Sequence, residues 1–502
     1  MAALLVALYT SFRLPLDTSW TDLFHEGEYL SPHLYFETAH ASPLLIHGQM
    51  DYWPAQFAAT HCPGALLVCT RAINSGFTAL AGVLFFLCAM AAAPRHRSRA
   101  FAGVIAIILM LAINGTRDTI VNIQQGAPAI RDVWPLTTIL FLLLAAGRGG
   151  KAGLLLSFLG GLVAGSTMFF AYNRGLANIL AVITYIIVTA VAGAGRRKSI
   201  AASSGLGIGL ALLVGADLDM ARTHTANVLY WIMHGEIWAF GVRASLGMLR
   251  AFIFYSFAAP LLIGTLWFGW KSWHRQSRSE IVPILAFLAA ICALTLMQTM
   301  QRYDQVHLSF AIPYLVLLAV VLQSHRPAPT RTAVLRPASL AIYAIGLVLI
   351  TTDYPLFGGL RGAAAPNLHG LLLGGLPRDI DLVEPDVRSV ASLLRLSNPD
   401  CTYVLNNAAG LYQLSSRKPC STVMMPLYAS GTAETQIIED LAKARPPLIV
   451  SRSGDWFEVI DGRGLDVRTP KLAAWIAANY PTRFNVGKIE LRSRMPGPRR
   501  AI

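Results

Sequence analysis

Four side chains able to do acid–base chemistry fall within seven residues near the start of the chain: Asp22, His25, Glu26 and Glu28. A carboxylate at the edge of an apolar medium feels both desolvation and its neighbours' charge. Both raise its proton affinity, which suits it to take a proton from a hydroxyl. The same acids also read as a plain solvated run. His47, Asp51 and His61 follow, with Arg117 and Asp118 beyond them. Asp51 and Asp118 carry the hard oxygens that a divalent cation prefers, or they cap helices or pair with a neighbour such as Arg117. His47 and His61 hydrogen-bond a polar ligand or serve the local structure. The segment 217–248 mixes Tyr230, Trp231 and Trp238 with His224, His234 and Glu236. Such aromatics anchor a helix at headgroup depth, and they also stack on sugar rings.

The elements that must position these groups are set by composition. Of 502 residues, 54% are hydrophobic and 14% charged, against about a quarter charged in soluble domains. That excludes a soluble globular enzyme. Apolar runs predict a mostly α, polytopic membrane helix bundle of about eleven spans: 2–15, 75–93, 100–114, 133–147, 152–172, 177–194, 200–216, 249–270, 281–298, 308–324 and 334–352. Alternate loops gather the bases, among them Arg95, Arg97, Arg99, Arg148, Lys151, Arg196, Lys198, Lys271, Arg275 and Arg278, with Glu280 their one acid. Those loops are cytoplasmic by the positive-inside rule. The formal net charge of +14 is therefore a topology signal, and no nucleic-acid partner is expected. The long first loop, 16–74, then lies outside, as does everything after residue 352.

The expected organisation is a transmembrane domain over 1–352, a Pro/Gly-rich linker over 353–377 and an extracytoplasmic α/β domain over 378–502. In the tail, helix-like and strand-like segments alternate at 383–396, 401–406, 408–415, 421–425, 433–444 and 447–451. The six cysteines form no CxxC pair, which argues against a zinc site. Cys62, Cys69, Cys88 and Cys292 read as small apolar packers. Cys401 and Cys420, in an oxidising compartment, are positioned to form a disulfide.

The pattern D-x-x-x-E-x-E-Y outside the first span, with DYWP…HCPG later in the loop and RYDQVH at the outer mouth of the tenth span, resembles the C-type superfamily of polytopic membrane glycosyltransferases. The resemblance covers the span layout, the loop, the RYDQVH segment and the tail. It implies a sugar donor linked to polyprenyl phosphate, an acid of the first outer loop as base, and inversion at the anomeric carbon. Glu26 matches the loop acid best, with Asp22 and Glu28 as alternatives; many relatives carry Asp-Glu where this chain has His25-Glu26.

Growing charge on a lipid-phosphate leaving group needs cationic help in a water-poor site. Arg302 and His307 resemble the superfamily's donor-phosphate contacts, an arginine fork binding two phosphate oxygens at once. Arg302 otherwise pairs with Asp304 or reaches lipid headgroups. Arg117, Arg131 and Arg174 are weaker candidates for the same role. Asp51, His61, Trp231 and Tyr230 are candidates to hold acceptor or sugar. No cofactor is certain, a divalent cation at Asp51 or Asp118 being an option. The implied activity is transfer from a polyprenyl-monophosphate sugar to a cell-envelope glycan or lipid, on the outer face of the inner membrane. The alternatives are an O-antigen ligase- or polymerase-like enzyme using diphosphate-linked donors, and a transporter or flippase of lipid-linked glycans.

Overall fold

The structure, a computed structural model, describes residues 23–36, 44, 49–93, 128–192, 195–216, 218–234, 246–274, 280–299, 308, 310–325, 377–398, 400–459 and 463–494. The described part of the first loop includes the helices α1 (His25–Leu30) and α2 (Trp53–His61), with a single helical turn at His33–Phe36 between them. The bundle follows as α3 (Leu66–Ala92), α4 (Pro128–Ala146), α5 (Gly150–Ser166), α6 (Tyr172–Val191), α7 (Arg196–Ala216), α8 (Leu218–Met233), α9 (Leu246–His274), α10 (Ile281–Thr299) and α11 (Ile312–His325). Among the described residues, five segments are long and apolar enough to cross a bilayer: Leu66–Ala92, Gly150–Phe169, Arg174–Val191, Ala251–His274 and Ile281–Gln298. Their outward faces are apolar too: Leu155, Ile187, Phe252, Ile263 and Leu266 are all exposed, as side chains that meet lipid tails rather than water would be. Helix α11 is the reverse, with Ile312 and then Tyr314 to Leu322 all buried.

Eight of the expected spans fall on helices, though five helical segments meet the length and hydropathy needed to cross, so the count of eleven is not established. The expected spans at 2–15, 100–114 and 334–352, and nearly all of the linker, lie outside the described residues. Helix α3 begins at Leu66 rather than at 75, because its first turns carry Arg71 and Asn74 buried against protein. Helices α5 and α7 meet backbone to backbone. A methyl group added at Gly161 or Gly165 would strike the carbonyls of Ala202 and Leu206, and one at Gly205 or Gly209 those of Phe158 and Leu162. Two small-xxx-small faces thus let the helices touch without a layer of side chains.

The tail is built from α12 (Pro385–Ser397), β1 (Cys401–Thr402), α13 (Gly410–Ser415), β2 (Lys418–Pro419), α14 (Thr432–Ala444), β3 (Leu448–Arg452), α15 (Pro470–Asn479), β4 (Thr482–Val486) and β5 (Ile489–Ser493). Strands β1 and β2 pair in parallel, and β3-β5-β4 form an antiparallel sheet. The expected strand at 401–406 is regular only over its first two residues, its continuation reaching β3 by a single bridge from Val404 to Val450. The expected segment 421–425 forms no regular strand.

Two expectations for cysteine resolve differently. Cys401 and Cys420 are disulfide-bonded as expected; Cys62 and Cys69, read as apolar packers, are also bonded to each other. The second bond joins the end of α2 to the first turn of α3. Cys88 and Cys292 are free and buried.

The first loop and the tail share one core. Leu23, Phe24, Leu30, Ala55, Ala58 and Leu66 pack with Val387, Leu394, Leu411, Tyr412 and Met425. Contact is closest at Gly27, where any side chain would collide with the Gly410 backbone. Gly410 N donates to Leu23 O (2.8 Å) and Ser31 Oγ to Ala409 O (2.7 Å). Asp379 of the tail accepts from Leu67 N (2.9 Å) and so caps α3 across more than 300 residues of sequence. The tail thereby fixes α1, and α1 carries the acids.

Candidate functional site

Glu26, Glu28 and Tyr29 project from α1, and each is buried. Glu26 is held by a two-pronged pair with Arg71 of α3, whose Nε donates to Oε1 (2.6 Å) and Nη2 to Oε2 (2.8 Å). Both carboxylate oxygens are thus engaged by one guanidinium, the two-pronged geometry of a strong charge-assisted pair. Glu28 accepts from the Tyr428 hydroxyl of the tail (3.1 Å).

Asp51 lies on the short 3-10 turn Gln49–Tyr52 ahead of α2, its side chain fully buried. Arg131, in the first turn of α4, donates from Nε to Asp51 Oδ2 (2.9 Å) and from Nη2 to the Tyr29 hydroxyl. Its guanidinium also lies 5.7 Å from the Tyr29 ring centroid. Among the described residues Asp51 Oδ1 has no hydrogen-bond partner. Burial pushes the Asp51 carboxyl up to about 7, with Arg131 opposing and Glu28 adding to the rise. Here desolvation outweighs the ion pair, the balance that leaves a carboxylate able to take a proton near neutral pH. Burial likewise pushes Tyr29 and Tyr428 well above the ordinary phenol range, so both stay protonated donors.

The next residue of α4, Asp132, faces a second group. It pairs with Arg174 of α6 (3.2 Å) and accepts from the Tyr314 hydroxyl (2.8 Å). Arg174 also donates to Gln298 (3.0 Å) and lies 5.2 Å from the Phe310 ring. Consecutive residues of one helix turn thus link the loop acids to three further helices.

The sequence-derived candidates divide accordingly. Glu26, Glu28, Asp51 and Arg131 come together around α1 and the start of α4. Tyr230 and Trp231 lie against the tail: Tyr230 donates to Tyr428 O (2.7 Å), and Trp231 packs edge-on to the Tyr428 ring at 5.7 Å. His61 stands apart, exposed on α2, bonded to Phe57 O and stacked on the Phe57 ring. Asp22, Arg117, Asp118, Arg302 and His307 lie outside the described residues. The cation facing Asp51 is a guanidinium, and among the described residues no group of three His, Cys, Asp or Glu side chains is placed to hold a metal.

Arg71 and Tyr428 were not singled out in the sequence, and Tyr29 entered only as the last residue of the D-x-x-x-E-x-E-Y pattern. Arg71 carried a usable signal, an arginine among the apolar residues of a long helix; Tyr428 carried none, because its partner stands 400 positions away.

No family model matches the chain, and no curated protein matches it. Among solved structures, it is similar to the oligosaccharyltransferase of Archaeoglobus fulgidus, crystallised with an acceptor peptide containing the NVT sequon tethered by a disulfide bond. The similarity has a TM-score of 0.48 at 11% identity and covers 96% of this chain and 72% of that one.

Proposed function

We propose that this chain is an inverting membrane glycosyltransferase. In this reading it takes a sugar from a polyprenyl-monophosphate donor and passes it to an envelope acceptor at the outer face of the inner membrane, with the C-terminal domain periplasmic. The observation that carries the mechanism is Asp51, a buried carboxylate with one oxygen unpartnered among the described residues and its proton affinity near neutrality. An acceptor hydroxyl gives its proton to Asp51 as its oxygen attacks the anomeric carbon. The bond from that carbon to the phosphate oxygen breaks on the opposite side, which inverts the centre. Glu26, with both oxygens on Arg71, holds α1 in place; the base is therefore assigned to Asp51 rather than to Glu26. Arg131 fixes Asp51 and Tyr29 together, and Glu28 tunes Asp51 through its charge. Arg302 and His307 remain the candidates for the departing phosphate.

The test incubates purified protein in lipid with a panel of polyprenyl-phosphate sugars and an envelope acceptor fraction. Mass spectrometry follows free polyprenyl phosphate for wild type, Asp51→Asn and Glu26→Gln. Wild type should release it, and Asp51→Asn should fall by about 100-fold or more, the usual weight of a general base. Full activity in Asp51→Asn discards the assigned base. With polyprenyl-diphosphate sugars run in parallel, release of polyprenyl diphosphate from those donors alone points to a ligase, and movement of unchanged donor across the bilayer points to a transporter.

A further inference from the structure

Helix α8 turns two polar side chains inward. Leu229, Ile232 and Met233 are exposed, whereas His224 and Asn227, three residues apart, are only 4% and 6% exposed. Both turn toward Tyr172, which opens α6 and is itself 9% exposed. The His224 and Tyr172 rings meet edge to face with centroids 4.4 Å apart, and Asn227 lies beside the Tyr172 hydroxyl. Among the described residues, Tyr172 Oη, His224 Nε2 and Asn227 Nδ2 make no hydrogen bond.

Folded proteins pair nearly all of their buried polar atoms because an unpaired one costs stability. Three gathered at one tyrosine are a concentrated cost. In a membrane bundle, inward-facing polar groups of this kind mark a substrate path. Their chemistry narrows the substrate. An amide N–H, a phenol and an imidazole together donate and accept, and none brings a positive charge, since burial pushes His224 down to about 4. The acid whose field reaches Tyr172 is Asp51, and its negative charge disfavours a phosphate at this spot. Hydroxyl groups, which donate and accept at once, match all three.

We propose that Tyr172, His224 and Asn227 form the binding subsite for an uncharged sugar ring of the acceptor, so that the acceptor is a glycan. This rests on the glycosyl-transfer reading, in which the acceptor hydroxyl gives its proton to Asp51, the acid whose charge reaches Tyr172. The three atoms are covered in this structure, so the ring enters as α8 shifts from α6. Helix α8 is tied to the tail through Tyr230 and Tyr428, and Tyr428 also donates to Glu28. Acceptor entry therefore acts on the contact that holds the acid cluster.

The experiment uses full-length protein in lipid nanodiscs and saturation-transfer NMR with methyl α-glucoside, methyl α-mannoside, methyl α-galactoside and inorganic phosphate as probes. Wild type should saturate at least one glycoside and not phosphate. Asn227→Leu and His224→Phe should weaken that binding by about tenfold or more, each 1.4 kcal/mol lost being a factor of ten. Their melting temperatures should hold or rise, since each removes an unpaired polar group; a purely structural role would lower them. Unchanged glycoside binding in both variants overturns the subsite. So does saturation of no glycoside by wild type, or phosphate binding that Asn227→Leu abolishes. Release of polyprenyl phosphate, measured on the same samples, separates the two readings. Glycoside binding lost in the variants, with no release by wild type from any donor, sinks glycosyl transfer and keeps the subsite. Release with an unchanged KM for a glycan acceptor in both variants sinks the subsite alone.

Discussion

Helix α4 carries a buried ionic group near each end, and the two ends are built to different rules. Near its last turn Lys198 donates to Ala145 O (2.7 Å) and to Glu280 Oε2 (2.8 Å). The lysine satisfies an orphan carbonyl at the helix C-terminus, where a cation is favoured, and Glu280 is itself 40% exposed. Near its first turn, about 20 Å away at 1.5 Å per residue, Arg131 meets Asp51, which is fully buried and keeps one oxygen unpaired among the described residues. One end spends its charges on closing the fold. The other leaves bonding capacity unused and close to an acid whose proton affinity has been raised. That contrast separates structural from functional charge better than burial does, because Glu26 is as buried as Asp51 and yet fully engaged.

The sharpest way to break the contrast is Glu26→Gln. If Glu26 is structural, losing it strands Arg71 in the interior. Removing one partner of a buried pair costs about 3–5 kcal/mol, which unfolding of the detergent-solubilised protein would register. Arg71→Ala should do comparable damage. A Glu26→Gln protein with native stability and no transfer would place Glu26 with the functional acids instead.

Asp51 tests the other side through pH. Its carboxyl rises from 3.8 to about 7 on folding, so between those values the native state holds a proton that the unfolded chain has lost. Stability therefore falls as pH rises from about 4 to about 7. On the proposed mechanism transfer needs the ionised carboxylate, and it should rise over the upper part of that window. Asp51→Asn should flatten both profiles while reducing transfer by about 100-fold. A rate profile that is flat around pH 7 in wild type would remove Asp51 from the proton-transfer step.

How much of this was legible in the sequence follows the range of the interactions. Apolar runs mark helices through local composition, so α4, α9 and α10 lie close to where hydropathy puts them. Glu26, Glu28 and Asp51 stand out as acids in a long aromatic loop. Their roles do not, because role depends on Arg71, Arg131 and Tyr428, which only the folded chain brings near. Arg71 lies ahead of the apolar run that starts at 75, and its partner Glu26 comes from α1, 45 residues earlier in the chain. The β4–β5 hairpin went unread because β4 is largely exposed and carries little of the apolar alternation that signals a strand. The Gly161/Gly165 and Gly205/Gly209 faces were present in the sequence, but their pairing is visible only once α5 and α7 lie together.

The two disulfides sharpen the comparison at a smaller scale. Cys401–Cys420 closes a separation of 19 residues and Cys62–Cys69 one of 7. On the chain-entropy model these stabilise by about 3.3 and about 2.5 kcal/mol respectively. The Cys62→Ser/Cys69→Ser double variant should lose slightly less stability than Cys401→Ser/Cys420→Ser. It should also lose more transfer activity, because its bond ties α2, which follows directly on Asp51, to α3, which carries Arg71. Equal loss of activity from both pairs would show that the loop is held by the tail alone.

The smallest effect belongs to the structural end. Glu280→Gln removes the charge from a pair whose acid is 40% exposed, and exposed or half-exposed pairs contribute about 0–1 kcal/mol. Lys198 keeps its bond to Ala145 O in that variant, so the orphan carbonyl stays satisfied. Stability should move by less than about 1 kcal/mol, by an amount that shrinks as salt is added, and transfer should not change. Lys198→Met goes further, because it frees the carbonyl as well, and should cost more than Glu280→Gln. Were Glu280→Gln to suppress transfer, the two ends of α4 would be coupled along the helix, and Asp51 would answer to charge at the far side of the bundle.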